Sequence, residues 1–245
     1  MNSGLYAACA GLRAQTQALD VVANNLANLS TSGFRAQQAT FQSLLAGAAS
    51  ADGNFLNHAV NNFGVLEGSR VDLTAGNLQA TGNPLDLGIE GAGFFAVRAG
   101  QQTLYTRNGS FHLTPDGQLV TVDGYPVLGE QGPVTVPGGT VSISADGTLS
   151  VDGAVAGQLR LVEFSPGTGL ASQGNSYYSA PQGVAHPANG SAIRQGMLES
   201  SNVSAMQAVV DLITVERHAE MLERALGAFD SEFNRSAAED LPRVQ

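Results

Sequence analysis

Apolar positions at the start of the chain recur every seven residues. Leu5, Leu12, Leu19 and Leu26 keep this spacing, which predicts a helix over residues 1–30 with one apolar stripe. The run Ser30-Thr31-Ser32-Gly33 follows, and residues of these types favour helix ends over helix interiors. The chain is therefore expected to open with one long amphipathic helix.

A second heptad pattern lies at the other end of the chain. Its small and apolar positions alternate in steps of three and four residues: Ala205, Ala208, Leu212, Val215, Ala219, Leu222, Leu226, Phe229 and Phe233. A pattern kept for about four heptads is typical of coiled coils. Two such helices most simply pack on each other. A second apolar edge, formed by Val203, Met206, Val210 and Ile213, indicates that this helix has more than one neighbour.

Between the two ends the pattern changes to that of short strands. From about Leu78 to Tyr178, runs of β-branched and aromatic residues alternate with turn dipeptides. Because Asp and Asn tolerate positive φ and Gly prefers it, Asp-Gly and Asn-Gly pairs predict tight hairpin turns. These pairs begin at Asn108, Asp116, Asp123, Asp146 and Asp152.

The predicted fold class is α+β, with long N- and C-terminal helices packed as a coiled-coil-like domain and a central antiparallel β-domain. The predicted domains are a helical domain of residues 1–45 with 194–235, an extended linker at 46–77, a β-rich domain at 78–180, a return linker at 181–193 and a tail at 236–245.

Composition narrows the possible functions. Hydrophobic residues make up 43% of the 245-residue chain and charged residues only 13%, so the chain can fold but has little charge for a freely soluble monomer. The net charge is −10 and all eleven basic residues are arginine, without a basic cluster, which argues against nucleic-acid binding. The start of the chain lacks the pattern of a cleaved signal peptide, and no apolar run is long enough for a membrane span.

Residues that could carry out catalysis do not cluster. His58, His112, His186 and His218 lie in four unrelated contexts, and Cys9 is the single cysteine, so we expect no metal site. The glycines between Gly88 and Gly93 precede a strand-like run, whereas a phosphate-binding loop precedes a helix. We therefore expect no catalytic residue and no cofactor, and we expect that the protein is not an enzyme.

Several blocks of sequence, in the same order along the chain, together resemble the flagellar rod and hook family of axial proteins. The N-terminal blocks are Leu5-Tyr6-Ala7-Ala8, Asn24-Asn25-Leu26-Ala27-Asn28 and Thr31-Ser32-Gly33-Phe34-Arg35. The central blocks are Ile89-Glu90-Gly91-Ala92-Gly93-Phe94-Phe95, Tyr105-Thr106-Arg107-Asn108-Gly109-Ser110-Phe111 and Asp116-Gly117-Gln118-Leu119-Val120. Ser201-Asn202-Val203 precedes the last helix. Within the family, proximal-rod members are the most similar and distal-rod members come next.

The resemblance implies a structural subunit of the bacterial flagellar basal-body rod, which assembles with other axial proteins into a hollow, torque-transmitting shaft. It implies terminal helices on the inside and a β-domain on the outside. The implied partners are copies of this chain, other rod and hook proteins and the flagellar type III export apparatus. The implied location is the periplasmic rod of the basal body, reached from the cytoplasm without cleavage of a signal peptide.

The predicted assembly interface consists of the heptad positions and the asparagines that end the first helix. Asn24, Asn25 and Asn28 either fix the register between helices or only terminate the helix. The full set is Leu5, Leu12, Leu19, Leu26, Asn24, Asn25, Asn28, Val203, Leu212, Val215, Leu222, Leu226 and Phe229.

Three alternative functions differ from this interpretation as a rod subunit. A distal-rod or hook-type axial subunit would share the same helices. A wall-modifying enzyme would need a carboxylate pair or metal in a cleft, whereas the β-region aspartates lie in predicted turns. A secreted carbohydrate-binding module would fit the β-region alone and would leave the heptads without a role.

Overall fold

A computed structural model describes residues 2–42, 65–165, 167–174 and 176–240. Helix α1 spans Asn2–Ala27 and helix α2 spans Ala205–Asp240, so the described residues have one helix at each end. Neither helix combines the length and the apolar character that a membrane span requires, as far as the described residues go.

Strands fill the chain between the helices. Their bounds are β1 Gln37–Gln42, β2 Val65–Val71, β3 Leu78–Ala80, β4 Leu87–Glu90, β5 Phe94–Ala99, β6 Gln102–Thr106, β7 Phe111–Leu113, β8 Leu119–Thr121, β9 Leu128–Gly129, β10 Gly132–Pro133, β11 Val141–Ile143, β12 Thr148–Val151, β13 Ala154–Gln158, β14 Leu161–Phe164, β15 Ala171–Ser172, β16 Tyr177–Ser179, β17 Ala185–Pro187, β18 Ala192–Gln195 and β19 Met197–Glu199. The largest sheet is antiparallel with the order β15-β16-β6-β5-β14-β17, and β11-β12-β13 form a three-stranded sheet. Short two-stranded pairs complete the region, including β18 with β4 and β19 with β3.

Strand β5, in the middle of the six-stranded sheet, is buried on both faces over residues 94–97. Successive side chains on a strand point to opposite faces, so Phe94 and Phe95 of β5 enter two different clusters. Phe95 packs edge-to-face with Phe111 at 5.1 Å between ring centroids, and Phe94 packs in the same way with Phe164 at 5.4 Å. This double burial explains why residues 94–97 form a continuous apolar run without alternation.

The turn dipeptides are confirmed where they join neighbouring strands. Asp116-Gly117 connects β7 to β8, Asp146-Gly147 connects β11 to β12, and Asp152-Gly153 connects β12 to β13. Asn108-Gly109 is not a hairpin turn, because it leads from β6 into β7, which belongs to another sheet. Glycine is needed there for a close approach, since a Cβ on Gly109 would lie 1.7 Å from the carbonyl oxygen of Leu87.

The predicted fold class, with the two terminal helices packed as a long coiled coil, is wrong. The described part of the chain is dominated by sheets and contains no long coiled coil. The helices do meet: a Cβ on Gly11 would lie 3.4 Å from Cδ1 of Leu222, and Nε2 of Gln15 donates to the carbonyl of Val215 at 2.9 Å. These two contacts run in opposite directions along the chain, so α1 and α2 are antiparallel.

The nature of the contact explains the difference. A coiled coil inserts large side chains from each helix into holes on the other. The fully buried residues of α1, among those with described side chains, are instead Ala14 and Ala18, and α2 contributes Ala208. The heptad leucines with described side chains are only half-buried, so the seven-residue repeat marks an apolar stripe that the described residues cover only in part.

By contacts the chain divides into two compact units. One contains residues 1–26, 37–69 and 205–245, and the other contains residues 27–36 and 70–204. We refer to them as the helical unit and the β-rich unit. The β-rich unit includes the segment that directly follows α1 and the segment that directly precedes α2. Much of the predicted 46–77 linker lies outside the described residues, and its end forms β2.

Candidate functional site

The predicted interface residues of the helical ends are placed as follows. Half-buried positions are Leu12, Leu19, Leu26, Asn25, Asn28, Val203, Leu212, Val215, Leu222 and Leu226. Asn24 is exposed. Leu5 lies on α1 and Phe229 on α2, and their side chains are outside the described set. Val203 precedes α2 and donates its N–H to Oγ of Ser201 at 3.2 Å.

The asparagines have local roles in the structure. Asn25 Nδ2 donates to the carbonyl of Gln37 at 2.7 Å, and the N–H of Gln37 donates to Asn25 Oδ1 at 2.8 Å. This side chain therefore satisfies both backbone groups at the start of β1, as a neighbouring strand would. Asn28 accepts from Thr31 Oγ1 at 3.1 Å in the turn that ends the helix.

An exposed apolar stripe runs along the first half of α2. It consists of Met206 (81% exposed), Val209 (44%), Val210 (51%) and Ile213 (45%). Steps of three and four residues place these side chains on one face of the helix. Because the side chains face solvent in the isolated chain, this stripe is a candidate contact surface for another protein.

A buried charge cluster lies in the β-rich unit. Arg35 comes from the segment after α1, Arg107 from the connection between β6 and β7, and Glu199 from the end of β19. All three side chains are at most 1% exposed. Fully buried ionised groups are rare and must be paired. The cluster therefore brings together three parts of the chain that are remote in sequence.

Glu199 is the centre of this cluster. Its Oε1 lies 2.7 Å from Nη2 of Arg35, and its Oε2 lies 3.1 Å from Nη1 of Arg107. The first contact is an ion pair by distance, although it does not have hydrogen-bond geometry. The N–H of Gly76 also donates to Oε1 at 2.7 Å. One carboxylate thus accepts from, or pairs with, groups on three separate segments.

The two arginines have further acceptors on the backbone. Nη2 of Arg107 donates to the carbonyl of Gly91 at 2.7 Å, and Nη1 of Arg35 donates to the carbonyl of Thr74. The Arg107 guanidinium also lies over the Phe94 ring, 4.8 Å from its centroid. The cluster is therefore supported by hydrogen bonds as well as by charge.

The cluster holds two cations against one carboxylate. Burial and, to a smaller extent, the neighbouring Arg35 charge lower the pKa of Arg107, and Glu199 opposes both effects, so that the pKa is about 10. In addition, Nε of Arg35 and Nε of Arg107 are buried without a hydrogen-bond partner among the described residues. Removal of the single carboxylate would consequently leave two buried charges without compensation.

Polar side chains around the cluster tie the same segments together. Asn202 Oδ1 accepts from the N–H of Ala36 at 2.6 Å, and Asn202 Nδ2 donates to the carbonyl of Thr74 at 2.8 Å. The hydroxyl of Tyr178 accepts from the N–H of Arg35 at 3.0 Å. Burial raises the pKa of Tyr178 to about 12, so this hydroxyl stays protonated at neutral pH.

Gly33 allows the segment after α1 to enter this site. Its φ is +69°, and a Cβ there would lie 2.2 Å from the backbone nitrogen of Asn108. Only glycine fits both the backbone conformation and the close approach. The N–H of Gly33 donates to the carbonyl of Glu199 at 2.8 Å.

No group of three or more His, Cys, Asp or Glu side chains that could hold a metal occurs among the described residues. An open groove of about 580 Å³ between the β9–β10 turn and β13 contains Glu130 as its one ionisable side chain. Asp146 stabilises its own turn, because it accepts from Thr148 Oγ1 at 2.8 Å, which lowers the Asp146 pKa. Asp152 accepts from the N–H of Thr140 at 2.9 Å, which connects its turn to the segment before β11.

Sequence reasoning did not identify the Arg35–Glu199–Arg107 cluster. Arg35 and Arg107 do lie inside the blocks that resemble the axial-protein family, and Glu199 directly precedes Ser200 and the Ser201-Asn202-Val203 block. The signal available was therefore the arginine inside each of these two blocks. The partners could not be deduced, because Arg107 and Glu199 are 92 residues apart along the chain.

Family models match three parts of the chain. They are described as "Flagella basal body rod protein" over residues 5–35, "Flagellar hook protein FlgE/F/G D1 domain" over residues 88–151, and "Flagellar basal body rod FlgEFG protein C-terminal" over residues 194–232.

Curated relatives match over nearly the whole chain. The flagellar basal-body rod protein FlgF of Caulobacter vibrioides is 33% identical over 100% of both chains, and FlgF of Salmonella typhimurium is 33% identical over 96% of this chain and 97% of its own. FlgG of Agrobacterium fabrum is also 33% identical, over 92% of this chain and 95% of its own. Identity alone therefore does not separate the FlgF type from the FlgG type.

Proposed function

This chain belongs to the family of flagellar basal-body rod proteins and is a structural subunit of the rod, and we propose that it works by association through its helical ends. In this proposal, copies of the chain and other axial proteins join head to tail into a hollow shaft that transmits torque. An interface between two different surfaces of the same subunit produces such open, helical assemblies.

The observation that carries the proposal is the exposed apolar stripe of α2. Met206, Val209, Val210 and Ile213 face solvent in a chain that has a fully buried core elsewhere. Transfer of apolar surface from water to a protein interface is favourable by roughly 25 cal/mol per Å². A neighbouring subunit that covered the stripe would therefore stabilise the assembly.

The half-buried heptad positions support the same proposal. Leu12, Leu19, Leu26, Leu212 and Leu222 keep part of their surface accessible after α1 and α2 have met. We propose that neighbouring subunits cover this remaining surface, and that Leu5 and Phe229 belong to the same set. Asn24 and Asn28 then lie at the end of the region that is buried on assembly.

We also propose a mechanical role without catalysis. The similarity to flagellar basal-body rod proteins and the turn-forming role of Asp146 support this part. Export through the flagellar type III apparatus to the periplasmic rod follows from family membership, as an inference. A proximal-rod position is favoured by two resemblances, with a distal-rod or hook-type position as the alternative. They lie in Tyr125-Pro126-Val127-Leu128-Gly129 with Gly132-Pro133-Val134, and in Arg217-His218-Ala219-Glu220-Met221.

The test places a charge inside the stripe. Val210→Asp would bury an unpaired carboxylate in the subunit interface, which costs several kcal/mol. His218→Asp is the matched control, because it introduces the same charge at an exposed position about 80° around the helix from Val210. Each variant is expressed in a strain that lacks the wild-type protein, and swimming, basal-body counts and exported subunit are measured.

We expect Val210→Asp to be exported but to form no complete rods, and therefore to leave cells non-motile. His218→Asp should swim nearly as the wild type does. Thermal unfolding of the two purified variants should be alike, since both positions are exposed in the isolated chain. Normal rods with Val210→Asp, or failure of His218→Asp alone, would show that the stripe is not the contact surface.

A further inference from the structure

The buried cluster lies where the chain leaves α1 and where it enters α2. The segment 28–36 follows α1, and the segment 199–204 precedes α2. Arg35 belongs to the first segment and Glu199 to the second, and they form a buried ion pair at 2.7 Å. Both segments therefore share one anchor inside the β-rich unit.

Backbone hydrogen bonds hold the two segments side by side. The N–H of Gly33 donates to the carbonyl of Glu199 at 2.8 Å, and the N–H of Asn202 donates to the carbonyl of Phe34 at 3.3 Å. The N–H of Ser200 in turn donates to the carbonyl of Asn77 at 2.8 Å. The cluster is thus the point at which both segments are fastened to the sheets of the β-rich unit.

The contacts of Arg107 differ in kind from those of Arg35. Arg107 binds the carbonyl of Gly91 and lies over Phe94, so it belongs to the interior of the β-rich unit. Arg35 contacts Glu199, at the end of β19, and the carbonyl of Thr74, between β2 and β3. Loss of Arg35 would leave Glu199 paired with Arg107, one negative charge against one positive charge.

We propose that Glu199 and Arg35 are positioning residues for rod assembly: their buried ion pair fixes the spacing of the two segments from which α1 and α2 extend. This inference rests on the proposed function, since it concerns how the assembling helices are presented. The Arg35–Glu199 pair sets the spacing of segments 28–36 and 199–204. The sheets, in contrast, fold around Arg107, Phe94 and their apolar neighbours.

The first variant removes the carboxylate charge with little change of shape. Glu199→Gln leaves Arg35 and Arg107 buried without a counter-charge, so the unfolding temperature of the purified protein should fall by about 10 °C. The matched control is Glu90→Gln, because Glu90 forms an ion pair of the same length, 2.7 Å, with Arg194 while exposed to solvent. The control should change the unfolding temperature by no more than about 2 °C.

The decisive variant is Arg35→Met, which removes the anchor and keeps the Arg107–Glu199 pair. Its unfolding temperature should fall much less than that of Glu199→Gln. Native-state hydrogen exchange should accelerate about ten- to a hundredfold in segments 28–36 and 199–204, while residues 94–97 in the sheet keep their protection. Cells that carry Arg35→Met should export the subunit but form few complete rods.

Two results would overturn the inference. One is a wild-type number of rods with Arg35→Met, and the other is an acceleration of exchange spread equally over 94–97 and the two segments. Either result leaves the proposed function standing, because Val210→Asp tests that function in a variant with an intact cluster. Conversely, normal assembly of Val210→Asp would refute the proposal that the exposed stripe is the contact surface. The role of the Arg35–Glu199 pair would then still be tested by the local hydrogen-exchange pattern of Arg35→Met.

Discussion

The β-rich unit and the helical unit bury different kinds of residue. The β-rich unit covers Leu87, Phe95 and Val97 completely, and it also covers two arginines and a glutamate. The helical unit buries only Ala14, Ala18 and Ala208 among its described side chains and leaves large apolar residues such as Met206 exposed. The first unit has a complete core of its own, and the second has apolar surface left over.

This difference indicates what each unit contributes. A core of large buried side chains stabilises the β-rich unit without a partner. The helical unit gains little from small buried residues, so most of its available stabilisation comes from surface that is still exposed. Stability of the isolated chain and capacity for assembly therefore depend on separate sets of residues.

The largest expected effect is a loss of stability on removal of a large side chain from the core of the β-rich unit. Phe95→Ala removes a fully buried ring that packs on Phe111, and it should lower the free energy of unfolding by about 3–5 kcal/mol. The comparison is Met206→Ala, at a position 81% exposed, which should change it by less than about 0.5 kcal/mol. Urea unfolding of both purified variants measures this. Similar losses of unfolding free energy in the two variants would contradict the difference between the two units.

The next largest expected effect is a loss of stability on replacement of Gly33, in the segment that follows α1. Gly33→Ala adds a Cβ that would lie 2.2 Å from a backbone nitrogen at φ +69°, so it should cost about 3 kcal/mol. Gly82→Ala has a similar φ, +75°, with no atom within 4 Å of the added Cβ, and should cost about 1 kcal/mol. Equal urea midpoints for the two variants would exclude the close approach as the cause.

A smaller effect should appear at alkaline pH. Tyr178 ionises near 10 when unfolded and at about 12 when folded, so the folded chain holds this proton longer and stability falls as pH rises from 10 to 12. Burial also raises the pKa of Tyr177, which adds to the loss. Arg107 acts in the opposite sense, because its pKa falls from 12.5 to about 10 on folding.

Tyr178→Phe isolates the contribution of this hydroxyl. The variant should lose stability less steeply than the wild type above pH 10, because one of the two late-ionising hydroxyls is gone. Urea midpoints measured from pH 8 to pH 11 give the slope. A variant slope as steep as that of the wild type would assign the alkaline loss to other groups.

The smallest effect lies in the helical unit and has the opposite sign. Gly11→Ala replaces a glycine inside α1, and its Cβ would meet Leu222 at an ordinary contact distance of 3.4 Å. Helix propensity alone should then stabilise the helical unit by about 0.5–1 kcal/mol. Ellipticity at 222 nm during thermal unfolding measures the gain. A loss of helicity would show that α1 and α2 lie closer together at this point than the contact indicates.

Local sequence patterns identified several elements directly. The heptad spacing predicts helices at both ends, and α1 and α2 lie there. The Asp-Gly pairs at Asp116, Asp146 and Asp152 predict turns that join adjacent strands, because the required φ is a property of the residues in the turn. The blocks that resemble axial proteins likewise led to the right family.

The sequence by itself determined which residues are apolar, where the helices and turns form and which family the chain belongs to. Only the tertiary structure decided which apolar side chains of the helices stay exposed and which charges meet. The heptad repeat predicted a coiled coil wrongly, because periodicity describes one helix and carries no information about the surface opposite. Arg35, Arg107 and Glu199 form one site because distant segments converge, and the energy of such a buried pair depends on three-dimensional distance and burial, neither of which is encoded in local spacing.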